Sequence, residues 1–190
     1  MIREYMRLLR MNFPDSGGFW FNENYSVWSQ IESDPNKWDD DRWISSYFTF
    51  NGEIRSANFI ILPIHSSILN HWSLLIIIPH EKTGHVYDSN SNSLARLENF
   101  DTIKQWFNGL TKKVFDEESW NLISENSIYQ PSRSVACGLY VLLNLRTFLA
   151  ERYNQRFSVN IKNNVDYIKH MQKILSLELW CSNLLDIRHI

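Results

Sequence analysis

The sequence predicts an α+β fold in which strands are grouped in the middle of the chain, with helices before and after them. Two apolar runs rich in β-branched residues, 58–65 (NFIILPIH) and 72–79 (WSLLIIIP), have the length and composition of buried strands. Leucines and Phe148 then recur at helical spacing within residues 138–153. Such strands beside amphipathic helices indicate a sheet covered by helices.

The first half of the chain contains two further predicted helices and a third strand. Residues 2–11 combine spaced apolar residues with charges, which predicts a short helix, and the breaker at 14–18 follows it. A tryptophan-led helix is expected from Trp38 to about Tyr47 or Phe48. A short strand precedes Asp88, where the polar sequence Ser-Asn-Ser-Asn predicts a turn.

The second half of the chain is expected to be largely helical. Asp101 can begin a helix that runs to Leu110, and residues 165–179 form a last amphipathic helix. Residues 114–126 fit either a strand or a loop. With 190 residues, of which 44% are hydrophobic, the chain is long enough to bury one substantial core, and we expect residues 1–190 to form one domain.

Charge and cysteine content narrow the function classes. A net charge of −2 provides no basic field of the kind that binds nucleic acid, and no apolar run approaches the ~20 residues of a membrane span. The two cysteines, Cys137 and Cys181, could form at most one disulfide. They fit a thiol enzyme of a reducing compartment, cytoplasmic or nuclear, better than a secreted disulfide scaffold.

Four residues have the chemistry of a thiol hydrolase. Cys137 begins the helical run, where the positive end of the helix dipole stabilises a thiolate. His71, at the start of a predicted strand, is the candidate base, and Asp88, at the end of the next strand, is the candidate carboxylate that orients it. Gln130 is the candidate donor to the oxyanion.

Each candidate also has a structural interpretation. Asp88 could cap its own turn, Gln130 could bond a loop carbonyl, and Cys137 could be an ordinary buried cysteine. Cys181, near the end of an apolar helix, is expected to lie in the core. The remaining histidines have no spacing typical of a zinc site, so no metal is indicated.

The segments HWSLLIII, VYDSNSN and ACGLYVLLNLRTF, with Gln130 between the last two, resemble the Ulp1/SENP-like cysteine proteases, to which the adenovirus-type maturation proteases are related. The resemblance implies a papain-like-superfamily fold, with a central mixed sheet flanked by helices and the nucleophile at a helix N-terminus. It also implies hydrolysis of peptide or isopeptide bonds at the C-terminus of ubiquitin or a ubiquitin-like modifier, as in deubiquitinases, deSUMOylases and deneddylases, without a cofactor. In similar proteases, tryptophans at the positions of Trp72 and Trp38 flank a channel for the modifier's Gly-Gly tail.

Other functions stay open at this point. Ala136, directly before Cys137, is more like the viral branch, which would imply polyprotein processing. Some proteins with the same triad transfer acetyl groups from acetyl-CoA, although this sequence has no compact basic cluster for the coenzyme's phosphates. A binding module without activity is a further alternative. We expect a monomer whose partners are a ubiquitin-like protein and its conjugates; a secreted bacterial effector acting in the host cytosol also fits.

Overall fold

The computed structural model describes residues 2–12, 19–21, 53–115, 119–131, 134–153, 161–162 and 164–181, together with positions 34, 37, 40 and 42. Its helices are α1 (Ile2–Asn12), α2 (Glu53–Ser56), α3 (Ser93–Leu110), α4 (Cys137–Arg152) and α5 (Val165–Cys181). Its strands are β1 (Phe19–Phe21), β2 (Phe59–Ser66), β3 (His71–Ile78), β4 (Thr83–Tyr87) and β5 (Asn121–Ser124).

The strands form one mixed sheet in the order β1-β2-β3-β4-β5. Strands β2, β3 and β4 are antiparallel, while β1 and β5 lie parallel to β2 and β4 on the two sides. Short turns join the three central strands, and each turn contains a residue with positive φ, Asn70 at 45° and Lys82 at 53°. The central mixed sheet expected from the family resemblance is therefore confirmed.

Both faces of the sheet are covered, which explains why the predicted strands were continuously apolar instead of alternating. On one face, residues such as Ile61, Leu74 and Ile76 pack in a core that includes side chains of α1, α4 and α5. On the opposite face, Leu62, Leu75 and their neighbours pack against α3. The alternation of strand residues thus divides the interior into two hydrophobic layers.

Helix α3 packs tightly against the sheet at Gly84 of β4. A Cβ atom at this position would lie 2.7 Å from Cε2 of Phe107 and 2.8 Å from Cδ1 of Leu122. These distances are shorter than van der Waals contact, so a residue without a side chain is required for the packing of α3 on β4.

A buried polar cluster joins the first and last described helices to α4. Arg146 of α4 donates to Oε1 of Glu178 at 2.5 Å and to the hydroxyl oxygen of Tyr5 at 3.2 Å. The Tyr5 hydroxyl donates to Oε2 of Glu178 at 2.6 Å, and both charged side chains are fully buried. Burial raises the pKa of Tyr5 well above its ordinary value, so this residue remains a neutral donor.

Two sequence-based expectations are wrong, and one lies outside the described residues. Helix α3 begins at Ser93 and not at Asp101, because the Asn92 side chain accepts the Leu94 and Ala95 N–H groups at 3.0 and 3.2 Å and caps the helix earlier. Cys181, expected in the core, is exposed at the end of α5. The helix led by Trp38 falls mainly on residues that the structure does not describe.

Residues 114–126, which fitted either a strand or a loop, contain a strand, but they begin within a helical turn that the sequence did not predict. A π-helical turn at Thr111–Phe115 extends α3, and β5 follows at Asn121–Ser124. The predicted helices at the start and end of the chain correspond to α1 and α5. In the part of the chain that the structure describes, no helix has both the length and the apolar character needed to span a bilayer.

Candidate active site

The sheet topology brings the candidate residues to one edge. His71 is the first residue of β3, and Asp88 directly follows the last residue of the antiparallel neighbour β4. The beginning of one strand and the end of the other therefore lie side by side. Cys137 is the first residue of α4, which packs on the sheet face that includes Leu74 and Ile76. Three separate elements thus converge on this edge.

His71 lies between Asp88 and Cys137. Its Nε2 atom is 2.8 Å from Oδ1 of Asp88, and both side chains are almost buried. This contact leaves Nδ1 as the ring nitrogen for the hydrogen bond to the Cys137 sulfur. Burial is the largest single influence on the pKa of His71 and lowers it, but hydrogen bonds and charges from Asp88 and Cys137 together raise the pKa to about 9.

Cys137 has the environment of a stabilised thiolate. Burial raises its pKa, but the hydrogen bond from His71, the backbone N–H groups of Trp72 and Gly138, and the charge on His71 together hold the pKa below the ordinary thiol value. Ala136, at the N-cap of α4, contributes no side-chain cap. The geometry therefore favours a thiolate–imidazolium pair.

Asp88 is held by three donors. In addition to the contact with His71, its Oδ1 accepts the Asn90 backbone N–H at 2.8 Å, and its Oδ2 accepts an N–H of the Asn99 side chain at 2.7 Å. Burial raises the pKa of Asp88, but His71 and these donors outweigh burial and lower it. Asp88 therefore both caps its own turn and contacts the histidine, through the same oxygen atom.

Asn99 was not identified in the sequence. It is a buried polar residue on α3, and its side chain also contacts the Ser73 hydroxyl at 3.3 Å. Asn99 precedes the buried Ile103 by one helical turn, so it occupies a core-facing position of α3. An asparagine at such a position would have indicated a buried polar contact if the helix had been predicted to begin at Ser93.

Gln130 links the loop after Asp88 to the segment that enters α4. Its backbone N–H donates to the Ser89 carbonyl at 2.8 Å, and its Oε1 accepts from the Ser89 hydroxyl at 3.2 Å. Its Nε2 donates to the Ser134 carbonyl at 3.0 Å, three residues before Cys137. Gln130 is therefore held from both sides, next to the start of the helix.

Of the two candidate tryptophans, only Trp72 lies among the described residues. The backbone of Trp72 contacts the Cys137 sulfur, and its half-buried indole packs on His65, with ring centroids 4.7 Å apart. Trp38 lies outside the described residues. Among the residues that the structure describes, no group of three or more His, Cys, Asp or Glu side chains could hold a metal ion.

Solved structures with similar folds include several proteases of ubiquitin-like proteins. The C-terminal Ulp1 protease domain in complex with Smt3, the yeast ortholog of SUMO, has 17% identity and a TM-score of 0.60, over 95% of this chain and 73% of that one. ChlaDub1 from Chlamydia trachomatis has 13% identity and a TM-score of 0.53, over 95% and 89% of the two chains. XopD from Xanthomonas has 16% identity and a TM-score of 0.51, over 90% and 96%.

At these identities the structural matches establish the fold. A comparison with curated proteins gave no significant match. The sequence comparison with family models is more specific, because residues 25–178 match the C-terminal catalytic domain of the Ulp1 protease family. The match covers most of the chain, and it agrees with the resemblance found in the sequence motifs. The chain therefore belongs to the Ulp1 protease family and is a cysteine-type peptidase or isopeptidase.

Proposed function

We propose that Cys137 is the nucleophile, His71 the general acid and base, and Asp88 the residue that orients His71. The single observation that carries this assignment is the continuous hydrogen-bonded chain from the Cys137 sulfur through His71 to Asp88, with a 2.8 Å contact at its second step. This order of groups is the one that nucleophilic catalysis by a thiol requires.

The hydrogen-bonded chain of Cys137, His71 and Asp88 supports the following reaction. The Cys137 thiolate attacks the scissile carbonyl carbon, and the carbonyl electrons move to oxygen to give a tetrahedral oxyanion. Collapse of this intermediate breaks the C–N bond, while protonated His71 donates its proton to the leaving amine. Neutral His71 then takes a proton from water as the hydroxide oxygen attacks the thioester. Departure of the thiolate releases a carboxylic acid, which loses its proton to solvent, and restores the thiolate–imidazolium pair.

The oxyanion needs donors close to the nucleophile. We assign this role to the Gln130 side-chain amide and the backbone N–H of Cys137, which lie at the two sides of the segment that enters α4. Donors that are already fixed before the reaction stabilise the developing charge without reorganisation. The bonds that hold Gln130 to Ser89 and Ser134 provide such fixation.

The substrate class that we propose is ubiquitin or a ubiquitin-like protein, either as a precursor or joined to a target through its C-terminus. Support comes from the family and from the neighbouring folds, one of which is seen in complex with Smt3, the yeast ortholog of SUMO. We assign contact with the substrate tail to Trp72, and the contact of its backbone with the nucleophile supports this assignment. A Gly-Gly tail has no side chains and could pass through a narrow channel beside the indole; Trp38 is the proposed opposite wall.

Domain organisation and location complete the proposal. We propose that residues 1–190 act as one catalytic domain and as a monomer. A compartment that keeps thiols reduced suits a thiolate nucleophile, and the cytoplasm, the nucleus and the cytosol of a host cell all meet this requirement.

The first experiment uses ubiquitin and SUMO with a thiol-reactive group at the C-terminus. We expect one of these probes to form a covalent adduct with the protein, and Cys137→Ala to abolish the adduct. Cys181→Ala is the matched control, because this exposed thiol is the other cysteine of the sequence. Adducts that persist in Cys137→Ala and disappear in Cys181→Ala would contradict the assignment of the nucleophile.

A second experiment separates modifier cleavage from polyprotein cleavage and acetyl transfer. We expect Trp72→Ala to reduce kcat/KM for a modifier fusion by about thirtyfold, the scale of a ~2 kcal/mol hot-spot residue, while iodoacetamide still labels Cys137. Trp180→Ala is the control, because this indole is exposed on α5. Normal cleavage of modifier fusions by Trp72→Ala would contradict the channel, and incorporation of acetyl groups from acetyl-CoA into a protein substrate would favour a transferase.

A further inference from the structure

Ser89 is a buried polar residue beside the candidate site, and it takes no part in the proposed reaction. It directly follows Asp88, its residue is 2% exposed, and its hydroxyl lies 3.2 Å from Oε1 of Gln130. A buried hydroxyl without a hydrogen bond destabilises the folded state, so the bond to Gln130 contributes to stability.

The contacts of Gln130 fix which end of its amide is nitrogen. The Ser134 backbone carbonyl, 3.0 Å from the amide, can only accept, so the atom facing it must be the Nε2 donor. The Oε1 atom then faces Ser89, and the Ser89 hydroxyl must be the donor of that bond. The reverse orientation would place two acceptor oxygens in contact at Ser134, and this repulsion makes it unfavourable.

Fixing the amide also decides what it can offer to a ligand. Nε2 carries two hydrogens, and Ser134 accepts one of them. Among the residues that the structure describes, none accepts the second hydrogen. The backbone N–H of Gln130 bonds the Ser89 carbonyl at 2.8 Å, so both the main chain and the side chain of Gln130 are anchored to the same serine.

We propose that Ser89 is a positioning residue, which holds the Gln130 amide so that its remaining N–H is directed to the oxyanion. This inference rests on the proposed function, since it requires Gln130 to be the oxyanion donor. Ser89 touches neither the substrate nor the reacting atoms; it acts only through Gln130. Its place directly after Asp88 means that one short loop orients both the base and the oxyanion donor.

The predicted effect of losing the hydroxyl is smaller than that of losing the amide. Removal of an oxyanion donor lowers kcat by about 100- to 1,000-fold in hydrolases. In Ser89→Ala, the Ser134 carbonyl still holds Nε2. We therefore expect a smaller loss, with kcat lower by about tenfold and KM nearly unchanged. Ser91→Ala is the control, because Ser91 is exposed in the same loop.

The test is a double-mutant cycle on a cleavable modifier fusion or a peptide ester, with kcat and KM measured separately. We expect Ser89→Ala to lower kcat in the parent protein but to have no further effect in a Gln130→Ala background. The rate of Cys137 alkylation by iodoacetamide should be the same with and without the Ser89 hydroxyl, because the thiolate–imidazolium pair is not involved.

The outcomes separate the two levels of the proposal. Full activity of Ser89→Ala, an equal loss in the Gln130→Ala background, or slowed alkylation of Cys137 would overturn the role of Ser89 while leaving the nucleophile intact. Full activity of Gln130→Ala would instead remove the oxyanion assignment, and with it the role of Ser89. Retained turnover by Cys137→Ala would refute the proposed function itself.

Discussion

Replacement of Asn99 by alanine should weaken both the fold and the reaction. The Asn99 side chain donates to Oδ2 of Asp88 at 2.7 Å, and both groups are shielded from solvent. The change would leave one oxygen of an ionised carboxylate without the N–H group that bonds it. The Asp88 carboxylate would also rotate more freely about its Cβ–Cγ bond.

The magnitude follows from the type of hydrogen bond. Bonds to charged groups contribute about 1.5–3 kcal/mol, so we expect the free energy of unfolding to fall by about 2 kcal/mol. If all of this were lost from the transition state as well, kcat/KM would fall about thirtyfold. Because Oδ1 keeps its bonds to His71 and the Asn90 N–H, we expect a smaller loss, of about tenfold.

The assay combines urea unfolding with steady-state cleavage of a modifier fusion. Asn108→Ala is the matched control, since Asn108 is exposed on the same helix and should change neither quantity. Asn99→Asp should be worse than Asn99→Ala, because a second carboxylate would repel Asp88 and favour its protonation. Equal activity of the Asn99→Ala and parent proteins would refute the role of Asn99 in holding Asp88.

Three further predictions concern pH, buried charge and packing. The thiolate–imidazolium pair exists only between the lowered pKa of Cys137 and the His71 pKa of about 9. In a pH–rate profile, kcat/KM should therefore fall as the pH decreases through the Cys137 pKa and as it increases through about 9. Asp88→Asn should move the high-pH decline to lower pH, and a decline that does not move would contradict this prediction. Glu178→Ala should lower the free energy of unfolding by about 3–5 kcal/mol in denaturant titrations, because Arg146 would remain charged and buried; a loss below about 1 kcal/mol would show that solvent reaches the arginine. Gly84→Ala should cost about 1–3 kcal/mol through overpacking, and Phe107→Leu should relieve part of that cost in the double variant; a neutral Gly84→Ala would show that α3 can shift.

The central strands and α4 could be predicted from sequence because their signals are long and strongly apolar. Runs buried on both faces contain few polar residues, and a helix such as α4 repeats its leucines over several turns. The positions of His71, Asp88 and Cys137 relative to these elements were therefore predictable as well. Their placement at strand ends and at a helix start follows from the element boundaries, which the neighbouring polar residues indicate.

Asn99 and the start of α3 were missed for a connected reason. Asp101 is as good a cap residue as Asn92, and local sequence does not show which of the two is used. The structure selects Asn92, because the longer helix brings Asn99 against Asp88, a contact between residues on different elements. Cys181 was misplaced because it follows apolar residues of α5, but it falls on the exposed side at the end of that helix.

The buried contact between Arg146 and Glu178 also limits how this sequence can change over generations. A mutation of either residue alone leaves an uncompensated charge, so it passes through a destabilised form that selection removes. Replacement of both by apolar residues of similar volume is tolerable, but it requires two coordinated codon changes and leaves the Tyr5 hydroxyl without its partners. The two positions should therefore vary together among descendants of this chain, and Tyr5 should change to phenylalanine in lineages that have lost the ion pair.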